Sequence, residues 1–323
     1  MTPAETAHAP EPIERRPAPN PRPRWLRWIG QIAGFVIGLG LLAACVWFAF
    51  RDPAENPWEK LRQAPIGLVV GLIACSAVSL LLNGATFWLV MRPVKDLGFW
   101  NLQRLNAAAN ALNYGPLRPG LILRLVYHVR VDRLDLIQIG AWFASIAVVL
   151  LLVAGVLFAS MIVRPEMDAW WAGLVAGGLV IGGLSTIIVM GHPLIVRHGR
   201  GADRMLRRGR VLWAIIGLRL ADIGAFAGRM YCALGIVGIA LPQNGASYVL
   251  MLALVALLAG LIPIRIGFRE ALVGLAASRF GVPESESVYA SLALIESAGE
   301  ALLYVPLGAL SLLWIWPRLV RAE

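Results

Sequence analysis

The chain has 323 residues, of which 59% are hydrophobic and 15% are charged, and its formal net charge is +10. Soluble domains are about 45–50% apolar and about 25% charged, so this composition excludes a water-soluble fold. The apolar runs are spread along the whole chain and leave no stretch of ordinary globular composition. We therefore predict a single membrane domain that takes up nearly the entire sequence.

The N-terminal tail, residues 1–27, is rich in proline and is predicted to be a disordered cytoplasmic segment. The apolar run that follows is longer than the roughly 7–15 residues of a signal-peptide core, so it is predicted to remain as the first span. Six runs are long enough, or nearly so, for the roughly 20 apolar residues that cross a hydrocarbon core. These runs are 29–50, 66–91, 137–162, 170–190, 213–241 and 288–316.

The distribution of Lys and Arg predicts the orientation. Five lie in the tail, seven in residues 92–135, six in residues 191–211 and two after residue 316. The alternate connections, 51–65, 163–169, 241–247 and 281–287, hold three, one, none and none. By the positive-inside rule the basic segments and both termini are cytoplasmic, which explains the net charge without nucleic acid. The basic segment 191–211 is a topology determinant or, alternatively, a contact with an anionic lipid surface.

Two further apolar stretches, 100–127 and 248–280, are interrupted by the pattern P-x-R-x-G. Pro116, Arg118 and Gly120 in the first are repeated 147 residues later by the matching residues of the second, which are Pro263, Arg265 and Gly267. The same offset maps 66–91 onto 213–238, the fifth run. Each membrane half, 28–165 and 166–318, therefore contains two spans, a broken element and a further span.

Charge parity predicts how the broken elements lie. If each enters and leaves the membrane on its own side, every basic cluster is cytoplasmic and the halves have inverted topology. We thus predict an all-α, polytopic membrane protein with about six full spans plus two re-entrant broken helices. Such breaks imply a polar interior, because non-helical backbone at that depth needs protein or water partners. The alternative is that Pro and Gly only kink two packed helices.

Ionisable residues inside the spans cost about 2.5–3.5 kcal/mol each, so they pair with one another or line a functional cavity. Arg219 and Asp222 are three residues apart on one helix face and form either a self-neutralising pair or part of a site. The second broken element adds Arg265, Arg269 and Glu270 around its apex. These five residues are candidate substrate-binding residues.

The last span adds Glu296 and Glu300, which lie on one face at i and i+4. Two adjacent carboxylates repel each other unless a cation, a proton or nearby arginines compensate. They either counter Arg265 and Arg269, or couple to protons, or bind a cationic group.

The first broken element carries a polar stripe at Asn106, Asn110 and Asn113, followed by Arg118 and Arg124. The asparagines follow helical spacing and serve either as hydrogen bonds between helices or as substrate contacts. Arg118 lies at the break, where a helix N-terminus also offers free backbone N–H groups. That combination suits phosphate.

Enzyme chemistry has no support in the sequence. The four histidines lack metal-ligand spacing, and no phosphate-binding loop, nucleophile elbow or HExxH motif is present. We therefore expect no enzymatic activity, no metal and no cofactor.

Two motifs in the broken elements resemble signatures of a known family. Residues 262–270, followed by Gly281 and Val282, resemble the I-P-x-x-x-G-x-x-E then G-V signature of the flippase-like family named after the transmembrane region of lysylphosphatidylglycerol synthase. Residues 113–124 resemble its N-x-x-P-x-R-x-G-E-x-x-R signature, with Leu121 in place of the glutamate. Glu296 stands where members more often have arginine. The resemblance covers about residues 57–316 and implies that lipid-linked polar groups are moved or handled.

The resemblance and the buried charges together give a functional hypothesis. The chain ends seven residues after Trp316, so the soluble synthase domain and lysine transfer to lipid are not expected. We expect a lipid flippase of the bacterial plasma membrane whose substrate is a phospholipid or a lipid-linked molecule. Arg118, Arg265 and Arg269 would hold phosphate, and Glu270, Glu296 and Glu300 would balance charge or couple to protons. The alternatives are a small-anion carrier and a lipid-binding partner of a glycosyltransferase or lipid-modifying enzyme that does not transport.

Overall fold

The computed structural model describes residues 24–51, 56–114, 119–198, 202–260, 267–280 and 284–321, and these ranges contain thirteen helices and no strand. The helices are α1 (Arg24–Arg51), α2 (Pro57–Gln63), α3 (Ile66–Met91), α4 (Phe99–Leu112), α5 (Pro119–Arg130), α6 (Leu136–Val163), α7 (Ala169–Met190), α8 (Pro193–His198), α9 (Ala202–Arg207), α10 (Gly209–Val237), α11 (Gly245–Ala259), α12 (Phe268–Phe280) and α13 (Glu286–Arg321). The predicted all-helical class is confirmed. Residues 1–23 of the predicted tail lie outside the described residues.

Five helices in the described ranges are long and apolar enough to cross a membrane: α3, α6, α7, α10 and α13. A hydrocarbon interior favours helical spans, because a helix satisfies all its backbone hydrogen bonds within one segment. The remaining predicted span falls on α1, a helix of 28 residues. The chain is therefore a multi-pass membrane protein. Exposed apolar side chains such as Ile181 and Ile188 on α7 are consistent with contact with lipid.

Both predicted breaks are breaks in the helices, and each broken element folds back on itself. Arg124 on α5 donates a hydrogen bond to Asn106 on α4 at 2.5 Å, although the two are 18 residues apart. Tyr248 on α11 donates to the carbonyl of Ala277 on α12 at 3.4 Å across 29 residues. A kinked but continuous helix would separate residues 18 apart by about 27 Å.

The fold-back makes each broken element a helical hairpin, which the kinked-helix alternative does not describe. The arms have 14 and 12 residues in the first hairpin and 15 and 13 in the second. All four are shorter than the roughly 20 residues that a crossing needs. That both ends of each hairpin lie on the same side of the membrane stays a prediction.

Gly120 allows the arms of the first hairpin to meet. A Cβ atom added there would lie 1.9 Å from the carbonyl oxygen of Ala109 and 2.6 Å from Asn113 Oδ1. Gly120→Ala is therefore expected to destabilise the protein by about 1–3 kcal/mol through overpacking, measured by detergent-based unfolding. Gly140→Ala on α6 is the matched control, because nothing lies within 4 Å of a Cβ atom added at Gly140. Equal stability of the two variants would contradict this close approach.

The internal repeat extends to the three-dimensional arrangement. Shifted by 147 residues, α3 overlaps α10, α4 overlaps α11, α5 overlaps α12, α6 overlaps α13 and α1 overlaps α7. Gly71 on α3 lies against Cys232 on α10, and Cys75 lies against Gly228, so these two helices run antiparallel. Equivalent helices that pack antiparallel are related by a two-fold axis perpendicular to both. Inverted halves require this relation.

Candidate functional site

A polar cavity of about 360 Å³ is lined by described residues of both hairpins. Asn113, at the end of α4, lines it from the first hairpin, and Gly260, at the end of α11, lines it from the second. The spans α3, α6, α10 and α13 supply the rest of the wall. The polar and charged residues on the wall are Ser79, Asn83, Asn110, Asn113, Arg124, Arg219, Asp222, Arg269, Glu300 and Tyr304.

Arg124 is a buried cation on the cavity wall. Its side chain is 9% exposed, its Nη2 donates to Asn106 Oδ1, and its guanidinium carbon lies 4.4 Å from the centre of the Phe87 ring. Asn106 is held in place because its amide donates to the carbonyl of Leu80 at 3.0 Å. Among the residues that the structure describes, no carboxylate lies within ion-pair distance of Arg124. A buried arginine of this kind is a candidate ligand for an anion.

Arg219 and Asp222 form a buried ion pair on α10, with Nη1 and Oδ2 2.9 Å apart. Ser79 on α3 donates to Oδ1 of the same carboxylate at 2.6 Å. The two charges neutralise each other, which was one of the two alternatives that the sequence left open. Both residues also line the cavity. It therefore gives the wall polarity without adding net charge.

Removal of the Ser79 hydroxyl tests how strongly the Arg219–Asp222 pair depends on its contact with α3. Ser79→Ala is expected to reduce the free energy of unfolding by about 1.5–3 kcal/mol, because it removes a hydrogen bond to a buried charged group. The control is Ser278→Ala, since Ser278 is exposed and donates only to a carbonyl of its own helix. A loss as small as that of the control would show that Asp222 does not need Ser79.

Four charged residues form a buried cluster on the side of the cavity next to the second hairpin. We term them the charge cluster: Arg229, Arg269, Glu296 and Glu300. Arg269 on α12 donates to Glu296 at 2.6 Å and to Glu300 at 2.7 Å. Arg229 on α10 lies 2.5 Å from Glu296 and 3.0 Å from Glu300. All four side chains are 3% exposed or less. The two cations balance the two anions.

Arg229 was not among the site residues predicted from the sequence. It lies seven residues after Asp222, two helical turns along the same face of α10, and this spacing was the available signal. Its guanidinium carbon lies 4.2 Å from the centre of the Phe226 ring. Only the packing of α10 against α13 shows its role, because its partners Glu296 and Glu300 are remote in sequence.

Glu270 has a local structural role near the second hairpin tip. Its carboxylate accepts a hydrogen bond from the backbone N–H of Gly267 at 2.8 Å and another from Ser297 at 2.6 Å. Gly267 has a φ of 77°, a conformation that favours glycine. Glu270 thus fixes the start of α12 and joins it to α13, and it is not among the residues that line the cavity.

The cavity wall therefore includes six of the ten predicted site residues: Asn113, Arg124, Arg219, Asp222, Arg269 and Glu300. Glu296 lies behind this wall in the charge cluster. Arg118 and Arg265 lie outside the described residues.

Comparison with known proteins supports the resemblance seen in the hairpins. The sequence model of the family described as "Lysylphosphatidylglycerol synthase TM region" matches residues 32–294. No curated protein and no solved structure matches the chain. The family suggests a membrane function related to lipid. Since the match covers most of the chain, the protein belongs to the family of the lysylphosphatidylglycerol synthase transmembrane region.

Proposed function

We propose that this protein is a lipid flippase of the bacterial inner membrane, with both termini in the cytoplasm. It binds the phosphate-bearing headgroup of a lipid in the polar cavity and moves it between the leaflets. The observation that carries this proposal is Arg124, a buried arginine on the cavity wall whose described neighbours provide a ring and an amide but no carboxylate. A phosphate supplies the missing counter-charge and accepts the guanidinium hydrogen bonds.

The size of the cavity favours a headgroup as the occupant. Small-molecule pockets are typically about 300–1,000 Å³, and this cavity of about 360 Å³ lies at the lower end of that range. Two acyl chains do not fit in such a volume together with a headgroup. The lipid tails therefore remain in the bilayer while the headgroup is bound.

The ion pairs change the roles that the sequence suggested for the arginines. Arg269 is already neutralised by Glu296 and Glu300, so it is a weaker phosphate ligand in this conformation. Arg124 is the primary ligand, and Arg219 lies on the same wall.

The proposed function is transport of the lipid without a chemical change to it. The carboxylates on the wall are held by cations, Asp222 by Arg219 and Glu300 by Arg269. In this conformation both carboxylates are engaged in ion pairs, so neither is offered to a substrate as an unpaired base.

A reconstitution experiment tests the proposal. Purified protein is placed in phosphatidylcholine vesicles with a trace of fluorescent phosphatidylglycerol, and the fraction of label that a membrane-impermeant quencher reaches is followed with time. We expect protein-dependent equilibration of the label between leaflets and no uptake of inorganic phosphate by the same vesicles. Phosphate uptake without lipid movement would favour the anion carrier. Binding of labelled lipid without movement would favour the non-transporting lipid-binding partner.

A further inference from the structure

The helices α5 and α6 are in contact near the loop that connects them, and both border the cavity farther from that loop. Near the loop, the rings of His128 and Trp142 are in contact, with centres 4.8 Å apart. Farther from the loop, Leu121 on α5 and Leu150 on α6 both line the cavity. The cavity therefore lies between the parts of α5 and α6 that are farther from their connecting loop.

This space borders an exposed apolar surface of the helix bundle. Leu121 is 49% exposed, and Leu125 and Val129 continue the same helical stripe at 37% and 39%. On α6, Leu151 is 54% exposed and follows directly after the cavity residue Leu150. An apolar stripe that runs from a polar cavity onto the outer surface provides a path on which a headgroup enters while its tails stay in hydrocarbon. The α5–α6 seam thus offers a route between the cavity and the outer surface of the helix bundle.

The equivalent seam in the second half, between α12 and α13, is closed. Near its loop, Gly274 lies against the backbone of Tyr289. Toward the hairpin tip, Arg269 on α12 is bonded to Glu296 and Glu300 on α13. The Ser297–Glu270 hydrogen bond joins the same two helices, and Ser297 is the repeat equivalent of Leu150, 147 residues later.

We propose that the α12–α13 seam is a second lateral portal for the same anionic lipid headgroup, held shut in this conformation by the charge cluster. This inference rests on the proposed flippase function and adds the route by which the lipid leaves. Opening withdraws Arg269 from the carboxylates. Arg229 on α10 still contacts both and offsets one of their two negative charges, and a proton shared by the two carboxylates offsets the other. Arg269 then exchanges Glu296 and Glu300 for the lipid phosphate. The α5–α6 seam and the α12–α13 seam of the inverted halves thus open one at a time.

Two equivalent pairs of cysteines test the proposal in a background in which Cys45, Cys75 and Cys232 are alanine. Phe268→Cys with Ser297→Cys clamps the α12–α13 seam, and Leu121→Cys with Leu150→Cys clamps its counterpart. Each pair is linked in the reconstituted full chain by a reducible bifunctional thiol reagent, and linkage is verified by mass. Translocation of fluorescent phosphatidylglycerol and photocrosslinking of the same lipid to the cavity are measured before and after linkage.

We expect the α12–α13 clamp to lower translocation at least tenfold while photocrosslinking persists, and reduction of the linker to restore translocation. The α5–α6 clamp is expected to abolish both. Undiminished translocation with a linked α12–α13 seam would overturn the second portal and leave the flippase function standing. No translocation by either the wild type or the unlinked variants would overturn the flippase function, and the portal with it.

Discussion

Arg124→Ala is expected to weaken binding of an anionic phospholipid by about 10- to 100-fold and to slow its translocation to a similar extent. The physical reason is the loss of a charge-assisted hydrogen bond in a buried site, which is worth about 1.5–3 kcal/mol. Binding is measured by native mass spectrometry of lipid retained at increasing lipid concentration, and translocation is measured in vesicles.

Two further variants separate this effect from general damage. Arg124→Lys keeps the charge but loses the planar fork, so we expect an intermediate affinity. Arg104→Ala is the matched control, because Arg104 is an exposed arginine of the same hairpin that stacks on Trp314. Normal lipid affinity of a folded Arg124→Ala protein would contradict the assignment of phosphate to this residue.

Glu296→Ala is expected to reduce the free energy of unfolding by about 3–5 kcal/mol, because it leaves two buried arginines to share one carboxylate. Exposed Glu59 provides the matched control, since in the described part of the chain its carboxylate accepts a hydrogen bond from Gln63 on the same short helix. Its replacement by alanine is expected to change stability by less than about 0.5 kcal/mol. Unfolding is followed by titration with a denaturing detergent.

The double variant Arg229→Met with Glu296→Gln tests whether the charge cluster acts as a unit. Removing one cation together with one anion restores the balance between Arg269 and Glu300. The double variant is therefore expected to be more stable than the sum of the single losses implies, by about 1–3 kcal/mol. Additive losses would show that Arg229 and Glu296 are independent in spite of the 2.5 Å between their atoms.

The predicted organisation of the chain depended on signals that are local in sequence. Uninterrupted apolar runs predicted α3, α6, α7, α10 and α13, because a membrane interior permits few alternatives to a helix. The P-x-R-x-G pattern predicted both helix breaks, since proline removes a backbone donor and glycine permits a turn. The offset of 147 residues predicted which helices are equivalent.

The functions of the polar residues were harder to predict, as the asparagine stripe illustrates. Asn106 donates to the carbonyl of Leu80 on α3, as the interhelical alternative proposed, whereas Asn110 and Asn113 line the cavity. Contact of these two residues with substrate stays a prediction. Spacing alone does not distinguish these roles, because they depend on which neighbour packs against each face of the helix.

The sequence by itself determined that this chain is a helical membrane protein of a lipid-related family, with two interrupted elements and buried charges. Only the tertiary structure decided which charge each arginine meets: Arg269 and Arg229 meet Glu296 and Glu300, whereas Arg124 meets Asn106 and Phe87. The physical reason is range. Hydrophobicity and backbone hydrogen bonding act within a segment, but the pairing of buried charges depends on helices that are distant in sequence and adjacent in space.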